Sequence, residues 1–327
     1  MTFRHLVLAI IVISGTMLCV SSKADAEEKS WQEYEKLGDQ AQKAGNWIKA
    51  GEAYEKAIGV RDKANPRQLE NDTAALLNKF GETQFREKKY KNAEAAYRRA
   101  LTIYDWNLGP DDPKVAETLD LLAASFQNQE NGFALAGPLY YRALAIREKA
   151  FGPDHPEVAE SLQKVGLSLY FQNGRLPIAL PLFKRALEIR KKALGHDSLV
   201  VAESLSTMAF VYDLHNDRAR AIPLYEEALE IREKILEPDA PEVLQTLFNL
   251  AWAYGIEGDY EKAEVLNKRR LKSLEAKLGP NDPEVASALE VYAWTLSSAG
   301  KEEEAKALRD RAQQIRDKAK TRTPPQN

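Results

Sequence analysis

Residues 152–194 read GPDHPEVAESLQKVGLSLYFQNGRLPIALPLFKRALEIRKKAL. The stretch recurs in recognisable form from Gly109, Gly195, Glu237 and Gly279, with start-to-start spacings of 43, 43, 42 and 42 residues. A self-similar period in this range marks a stacked array, in which each unit is one supersecondary element that cannot bury its apolar face alone.

Within a unit the periodicity is helical. The segment from Trp31 places Tyr34, Leu37, Gly38 and Ala41 at three-to-four spacing, one face of a helix. Gly45-Asn46 breaks the run, and a second helix follows with Ala50, Tyr54, Ala57 and Ile58 before Asn65-Pro66 stops it. The next unit repeats this with Leu77, Phe80 and Gly81, then Ala93, Tyr97, Ala100 and Leu101. Seven helix pairs result, with first helices expected to begin near Trp31, Ala74, Ala116, Ala159, Ala202, Leu244 and Ala286.

Recurring residues have physical reasons. Ala50, Ala93, Ala136, Ala179, Ala221, Ala263 and Ala305 come once per unit, where a small side chain lets the two helices of a pair approach. Tyr54, Tyr97, Tyr140, Phe183 and Tyr225 follow four residues later and are expected to fill the space between neighbouring units. Pro138, Pro181 and Pro223 are placed in the first turn of a second helix, where a missing N–H costs nothing. Asp112-Pro113 and Asp282-Pro283 read as an N-cap and a first-turn proline. The last two units put Asn267 and Arg309 in the aromatic slot, so Gly300–Lys320 reads as a polar capping helix.

The pattern Tyr34, Leu37, Gly38, Ala50, Tyr54 resembles the tetratricopeptide repeat. The phrases GPDHPEVA at Gly152–Ala159, GPNDPEVA at Gly279–Ala286, and A-L-x-I-R at Ala143–Arg147, Ala186–Arg190 and Ala228–Arg232 resemble the kinesin-light-chain type of that repeat, in a bacterial exported form. The resemblance spans residues 31–320. It implies an all-α, right-handed α-solenoid of about seven helix pairs, whose first helices line a concave groove.

The flanks read differently. In residues 1–26, Arg4, the apolar run Leu6–Ile13 and Ala24-Asp25-Ala26 form a secretory signal, with cleavage expected after Ala26. Its apolar stretch falls short of the ~20 residues that span a bilayer. A retained anchor, or a lipid anchor on Cys19, is the lesser reading. Residues 27–30 are expected to be loose, and residues 321–327 disordered. Cys19, the only cysteine, lies in the removed segment, which suits an oxidising compartment, periplasmic or secreted. The net charge of −3 points away from nucleic acid and from stable membrane association.

Catalysis draws no support: there is no glycine-rich phosphate loop, nucleophile elbow or HExxH motif. No cofactor or metal is expected. His155 and His196, beside Asp154 and Asp197, could be imagined as a loop metal site; cap formation is the simpler reading. The inner face is more informative. The residue after the Gly/Ala slot should point into the groove, and along the chain it is Asp39, Glu82, Ala124, Leu167, Phe210, Trp252 and Trp294. Tyr170, Phe171, Phe248 and Asn249 lie near the same stripe.

These aromatics either complete the core or anchor a ligand. The second reading makes the chain a non-catalytic scaffold for a protein or peptide, with Phe210, Phe248, Asn249, Trp252 and Trp294 as contacts. Packed helices lie ~8–10 Å apart, and an extended polyproline-type peptide returns to one face every ~9 Å. A peptide with an apolar or proline residue at every third position matches that spacing. The asparagine ladder that kinesin light chains are understood to use is reduced here to Asn78 and Asn249. The rivals are an assembly subunit of a cell-envelope complex and a glycan-binding module stacking sugars on Trp252 and Trp294. The oligomeric state is left open.

Overall fold

The computed structural model describes residues 29–64, 70–174 and 176–322. The signal segment and residues 323–327 lie outside them. Two compact units divide the helices, the first holding α1 (Trp31–Lys43) and α2 (Trp47–Ala64). The second holds six pairs. They are α3 (Asn71–Arg86) with α4 (Tyr90–Leu108), α5 (Pro113–Gln127) with α6 (Gly132–Phe151), and α7 (Pro156–Asn173) with α8 (Leu176–Leu194). The series continues with α9 (Leu199–Leu214) and α10 (Arg218–Ile235), α11 (Pro241–Glu257) and α12 (Tyr260–Leu278), and α13 (Pro283–Ser298) and α14 (Glu302–Arg322). Within the second unit, from α3 to α14, each helix packs on its neighbours in chain order, which makes an all-α solenoid.

From α3 onward the first helices begin about one turn earlier than the apolar periodicity alone suggests, because the caps lie upstream of it. Asp112, His155, Ser198 and Asp282 each accept the N–H two residues on with the side chain, and Pro113, Pro156 and Pro283 start their helices. Ser30, expected to be loose, closes a capping box with Glu33. At the far end α14 continues through Arg322, past the expected end of the array.

One further expectation needs correction and a second needs extending. Pro138, Pro181 and Pro223 lie inside α6, α8 and α10 rather than in the first turn, since these helices start earlier. The carbonyls of Ala134, Pro177 and Ala219 therefore lose their ordinary i+4 donor. The slot aromatics of the second unit belong to cores shared with the next helix pair, as Tyr97 does with Leu122 and Phe126, but they also pack within their own pair. A β-carbon on Gly81 would meet the Tyr97 ring at 2.4 Å, one on Gly166 the Phe183 ring at 2.7 Å, and in the first unit one on Gly38 the Tyr54 ring at 2.4 Å. The seven once-per-unit alanines are all fully buried.

The G-P-D phrase is explained by what it touches. Gly109, Gly152 and Gly279 end α4, α6 and α12 with φ near +88°, +88° and +86°, a region that favours glycine. The carbonyls of Pro110, Pro153 and Pro280 accept from Arg142, Arg185 and Arg311 of the following second helix. The loop acids Asp111, Asp154 and Asp197 pair with Lys149, Lys192 and Lys234.

A second seam joins consecutive second helices: Asp105–Arg142 at 2.6 Å, Glu148–Arg185 at 2.7 Å, Lys191–Glu227 at 3.0 Å, Glu233–Arg269 at 2.6 Å and Glu275–Arg311 at 2.5 Å. The polarity reverses once, at Lys191–Glu227.

The arginine of A-L-x-I-R forms a buried ladder. Arg147 pairs with Asp120 of its own unit at 2.8 Å and donates to Ser161 of the next at 2.6 Å. Arg190 repeats this with Gln163 and with Ser204 at 2.6 Å, and Arg232 with Ser206 at 2.9 Å and with Thr246. Each rung satisfies a buried guanidinium with groups from two units, so it holds those units in register.

Candidate functional site on the first helices

The first helices of neighbouring pairs approach one another, α3 on α5 and α9 on α11. The stripe these helices leave uncovered in the second unit divides into a polar and an apolar half.

The polar half is occupied with itself. Asp120 is buried between Arg147 and Lys164, and Lys164 also meets Glu160 at 2.6 Å. Burial opposes the charge on Lys164, but Asp120 and Glu160 outweigh it and hold the ammonium above the usual lysine range. Burial likewise opposes the charge on Glu160, and the bond from Lys164 overcomes it, leaving that carboxyl below its ordinary value.

The apolar half begins at α7. Phe171, Phe210, Leu214, Trp252 and Ile256 are exposed on three consecutive first helices. Phe210 is 41% exposed and Trp252 37%, high values for side chains of this size. Leu214 and Ile256 were not foreseen from the pattern. Each lies four residues past Phe210 or Trp252, so the helical repeat itself was the available signal.

Trp294 of α13 is half-buried and stacks on Trp252, with ring centroids 4.7 Å apart and planes 26° from parallel. Its six-membered ring is seated against Gly255 of α11. The pair is thus one aromatic block, with Trp252 its more exposed member. Asn249 is half-buried and accepts from Gln245 at 2.9 Å.

Phe248 has a different role from its neighbours. It occupies the position of Asp120, Gln163 and Ser206, the polar partners of the arginine ladder. In that unit the arginine is replaced by the buried Leu274, and the next unit's hydroxyl by Ala288. Arg270, one turn earlier, lies over the Phe248 ring at 5.2 Å. Phe248 therefore substitutes a packing contact for a polar rung. Asn267, in the aromatic slot, is buried and donates to Thr295 at 2.9 Å, pinning α12 to α13.

The histidines do not converge. His155 is the N-cap of α7, its Nδ1 accepting from Glu157 at 3.2 Å and its ring stacked on Phe151. The cap of the next unit is Ser198, so His155 and His196 are not equivalent positions. Among the described residues no three His, Cys, Asp or Glu side chains are grouped to hold a metal ion. No helix among them is long and apolar enough to cross a membrane.

Family models described as tetratricopeptide repeat match residues 33–105, 72–131, 168–234 and 218–276, and a further one matches 115–157. The chain belongs to the tetratricopeptide-repeat family. No curated protein matches it. Among solved structures, the Podosopora anserina kinesin light chain with nearly identical repeats is similar at 23% identity and a TM-score of 0.59, over 64% of this chain and 98% of that one. BtubC (BKLC) from P. vanneervenii is similar at 19% identity and a TM-score of 0.51, over 92% and 95% of the two chains. The aspartyl phosphate phosphatase F of Bacillus subtilis is similar at 16% identity and a TM-score of 0.60, over 88% and 70%. At these identities the likeness is one of fold. Tetratricopeptide-repeat proteins are in general non-catalytic and typically bind protein partners.

Proposed function

We propose that this tetratricopeptide-repeat protein is a non-catalytic scaffold that holds an extended peptide segment of a protein partner along the first helices α7, α9, α11 and α13. The observation that carries this reading is the apolar track itself: Phe171, Phe210, Leu214, Trp252 and Ile256 exposed in succession, with the Trp294 block at its end. Large apolar side chains exposed at matching register on three successive first helices, in a composition this polar, favour a binding role. The helix spacing of ~8–10 Å favours a partner with an apolar or proline residue at every third position, ~9 Å apart. Gln245 and Asn249 stand beside the track with neutral amides, which suit peptide backbone groups better than charges would.

The protein is further proposed to act after export, to the periplasm or beyond, with residues 1–26 removed. Mass spectrometry of the mature N-terminus from the cell-envelope fraction tests this; a chain beginning before Ala26 counts against it.

The scaffold reading is tested on an array of synthetic peptides carrying leucine or proline at every third or at every second position. Binding should prefer the three-residue spacing and fall in Phe210→Ala and Trp252→Ala variants whose thermal unfolding is unchanged. Equal binding of both spacings, or no effect of either variant, removes the proposal. Saccharide-dependent quenching of Trp252 without peptide binding replaces it with the glycan-binding alternative. Concentration-dependent self-association with an unperturbed Trp252 replaces it with the assembly role.

A further inference from the structure

The second helices α10 and α12 both pack on α11 and leave between them a cleft of about 540 Å³. That volume lies within the range of ligand pockets. The cleft opens on a different set of residues from the first-helix track and shares none of them.

Its floor is apolar. Leu229 comes from α10, Leu250 from α11, and Val265 and Leu266 from α12. Val265 is 65% exposed, although it is β-branched and sits in a helix with no partner over it. In the three preceding units the equivalent position holds Pro138, Pro181 and Pro223, so this unit alone among the four offers an aliphatic side chain there.

Its rim is acidic. Glu226, Glu230, Glu233 and Glu261 line it, against Lys262 alone. Three of these charges already have partners: Glu233 pairs with Arg269, Lys262 with Asp259 at 3.2 Å, and Glu230 with Lys234 at 3.1 Å. The last is an exposed pair one helical turn apart, the weakest kind of ion pair and one an incoming cation can displace. Lys262 also lies over the Tyr254 ring, and the Tyr254 hydroxyl donates to Glu226. The cleft therefore keeps an excess of carboxylate around a greasy floor. A carboxylate at the mouth of a low-dielectric depression favours a cation whose own stem is apolar.

We infer that the α10–α12 cleft is a second binding site, which takes a lysine or arginine side chain and its aliphatic neighbours from an amphipathic basic helix of a protein partner. The helix lies across the gap between two parallel ridges, its leucine-type residues on Val265 and Leu266 and its cation at Glu230 and Glu261. The charge excess makes the site selective against an acidic helix of the same apolar pattern.

The probe is a synthetic amphipathic helix of leucine and lysine, titrated calorimetrically into the full chain, with a leucine and glutamate helix as its counterpart. The leucine/lysine helix is expected to bind and the leucine/glutamate helix not to. Glu230→Gln with Glu261→Gln should weaken binding by about tenfold, as should Val265→Lys, and added salt should weaken it too. These positions are exposed and leave Arg269 and Tyr254 with their partners, and Lys234 keeps Asp197 when it loses Glu230, so the melting temperature should hold, and circular dichroism checks it. Trp252→Ala, which tests the first-helix track, should leave this titration unchanged. Absence of binding by the leucine/lysine helix, equal binding by the acidic helix, indifference to both cleft variants, or loss on Trp252→Ala would each overturn the inference.

Discussion

The Trp294 ring rests where a side chain on Gly255 would have to be: a β-carbon there would come 2.8 Å from Cζ3 and 3.3 Å from Cη2. Gly255 lies inside α11, where glycine is unfavourable by roughly 0.5–1 kcal/mol relative to alanine. The close approach explains its presence. Gly255→Ala should force the indole outward and part it from Trp252, at a cost of about 1–3 kcal/mol. The stacked pair should give an exciton signal in circular dichroism, and that signal should vanish in this variant. An unchanged signal would mean that the glycine is not what seats the ring.

The two indoles should also separate in stability. Trp252 is exposed, so Trp252→Ala is expected to change unfolding free energy by less than about 1 kcal/mol. Trp294 is half-buried against α11, and Trp294→Ala should cost about 2–3 kcal/mol. Urea unfolding of both variants measures the difference. A larger loss at Trp252 would make it a core residue and weaken its case as a binding contact.

The arginine ladder gives a repair experiment. Leu274 and Phe248 are joint replacements of a rung, next to Ala288 where the other units carry a hydroxyl. Leu274→Arg alone would bury a guanidinium among apolar groups and should destabilise by several kcal/mol. Adding Phe248→Ser and Ala288→Ser restores the partners that Arg232 finds in Ser206 and Thr246, and should recover most of that loss. In the intact rung, Asp120→Ala leaves Arg147 and Lys164 without their shared counter-charge and should cost about 3–5 kcal/mol. Thermal unfolding of the single and triple variants decides whether the rung works as a set.

Much of this architecture was legible because a repeat shows its geometry many times over. The once-per-unit alanines, the period and the Asp-Pro caps all carried through. First-helix starts were read late because apolar periodicity does not register polar caps such as His155 or Ser198, and the prolines were misplaced because the second helices α6, α8 and α10 begin a turn or more before them. The candidate site was half legible. Phe210 and Trp252 follow from the slot register, but Phe248 sits on the ladder, whose logic links residues 14 and 26 or 27 positions apart on three helices. Gly255 as a seat for Trp294 depends on a contact between units that no single-unit pattern contains.

The reversed pair Lys191–Glu227 tests whether the second-helix seam sets pairing by charge. Lys191 is 18% and Glu227 42% exposed, so the single change Lys191→Glu should cost only about 0.5–1 kcal/mol. Lys191→Glu with Glu227→Lys writes the pair in the sense of Glu148–Arg185 and should return to the starting stability within experimental error. A double-mutant cycle that shows no coupling would reduce the seam to ordinary surface charge.

Acid should loosen the end of the array before the middle. Glu264 of α12 accepts from Lys268 at 2.5 Å and from Lys301, at the entry to α14, at 2.7 Å, and the Tyr292 hydroxyl also donates to it. The bond from Lys268, then that from Lys301, pulls the carboxyl from its usual 4.5 down to about 2. An acid held lower in the folded chain than in the unfolded one adds stability that is complete above the unfolded value and drains away as pH falls through the folded one. The docking of α14 through Lys301 should therefore be whole above about 4.5 and weaken progressively toward about 2. Hydrogen exchange of α14 amides should quicken across that window, corrected for the intrinsic pH dependence of exchange, while α9 and α10 hold. In Lys301→Met much of the pH dependence should be gone, because the carboxyl then keeps only Lys268 and rises toward its ordinary value. If α14 in that variant still loosens over the same interval, some other carboxylate holds the terminal pair.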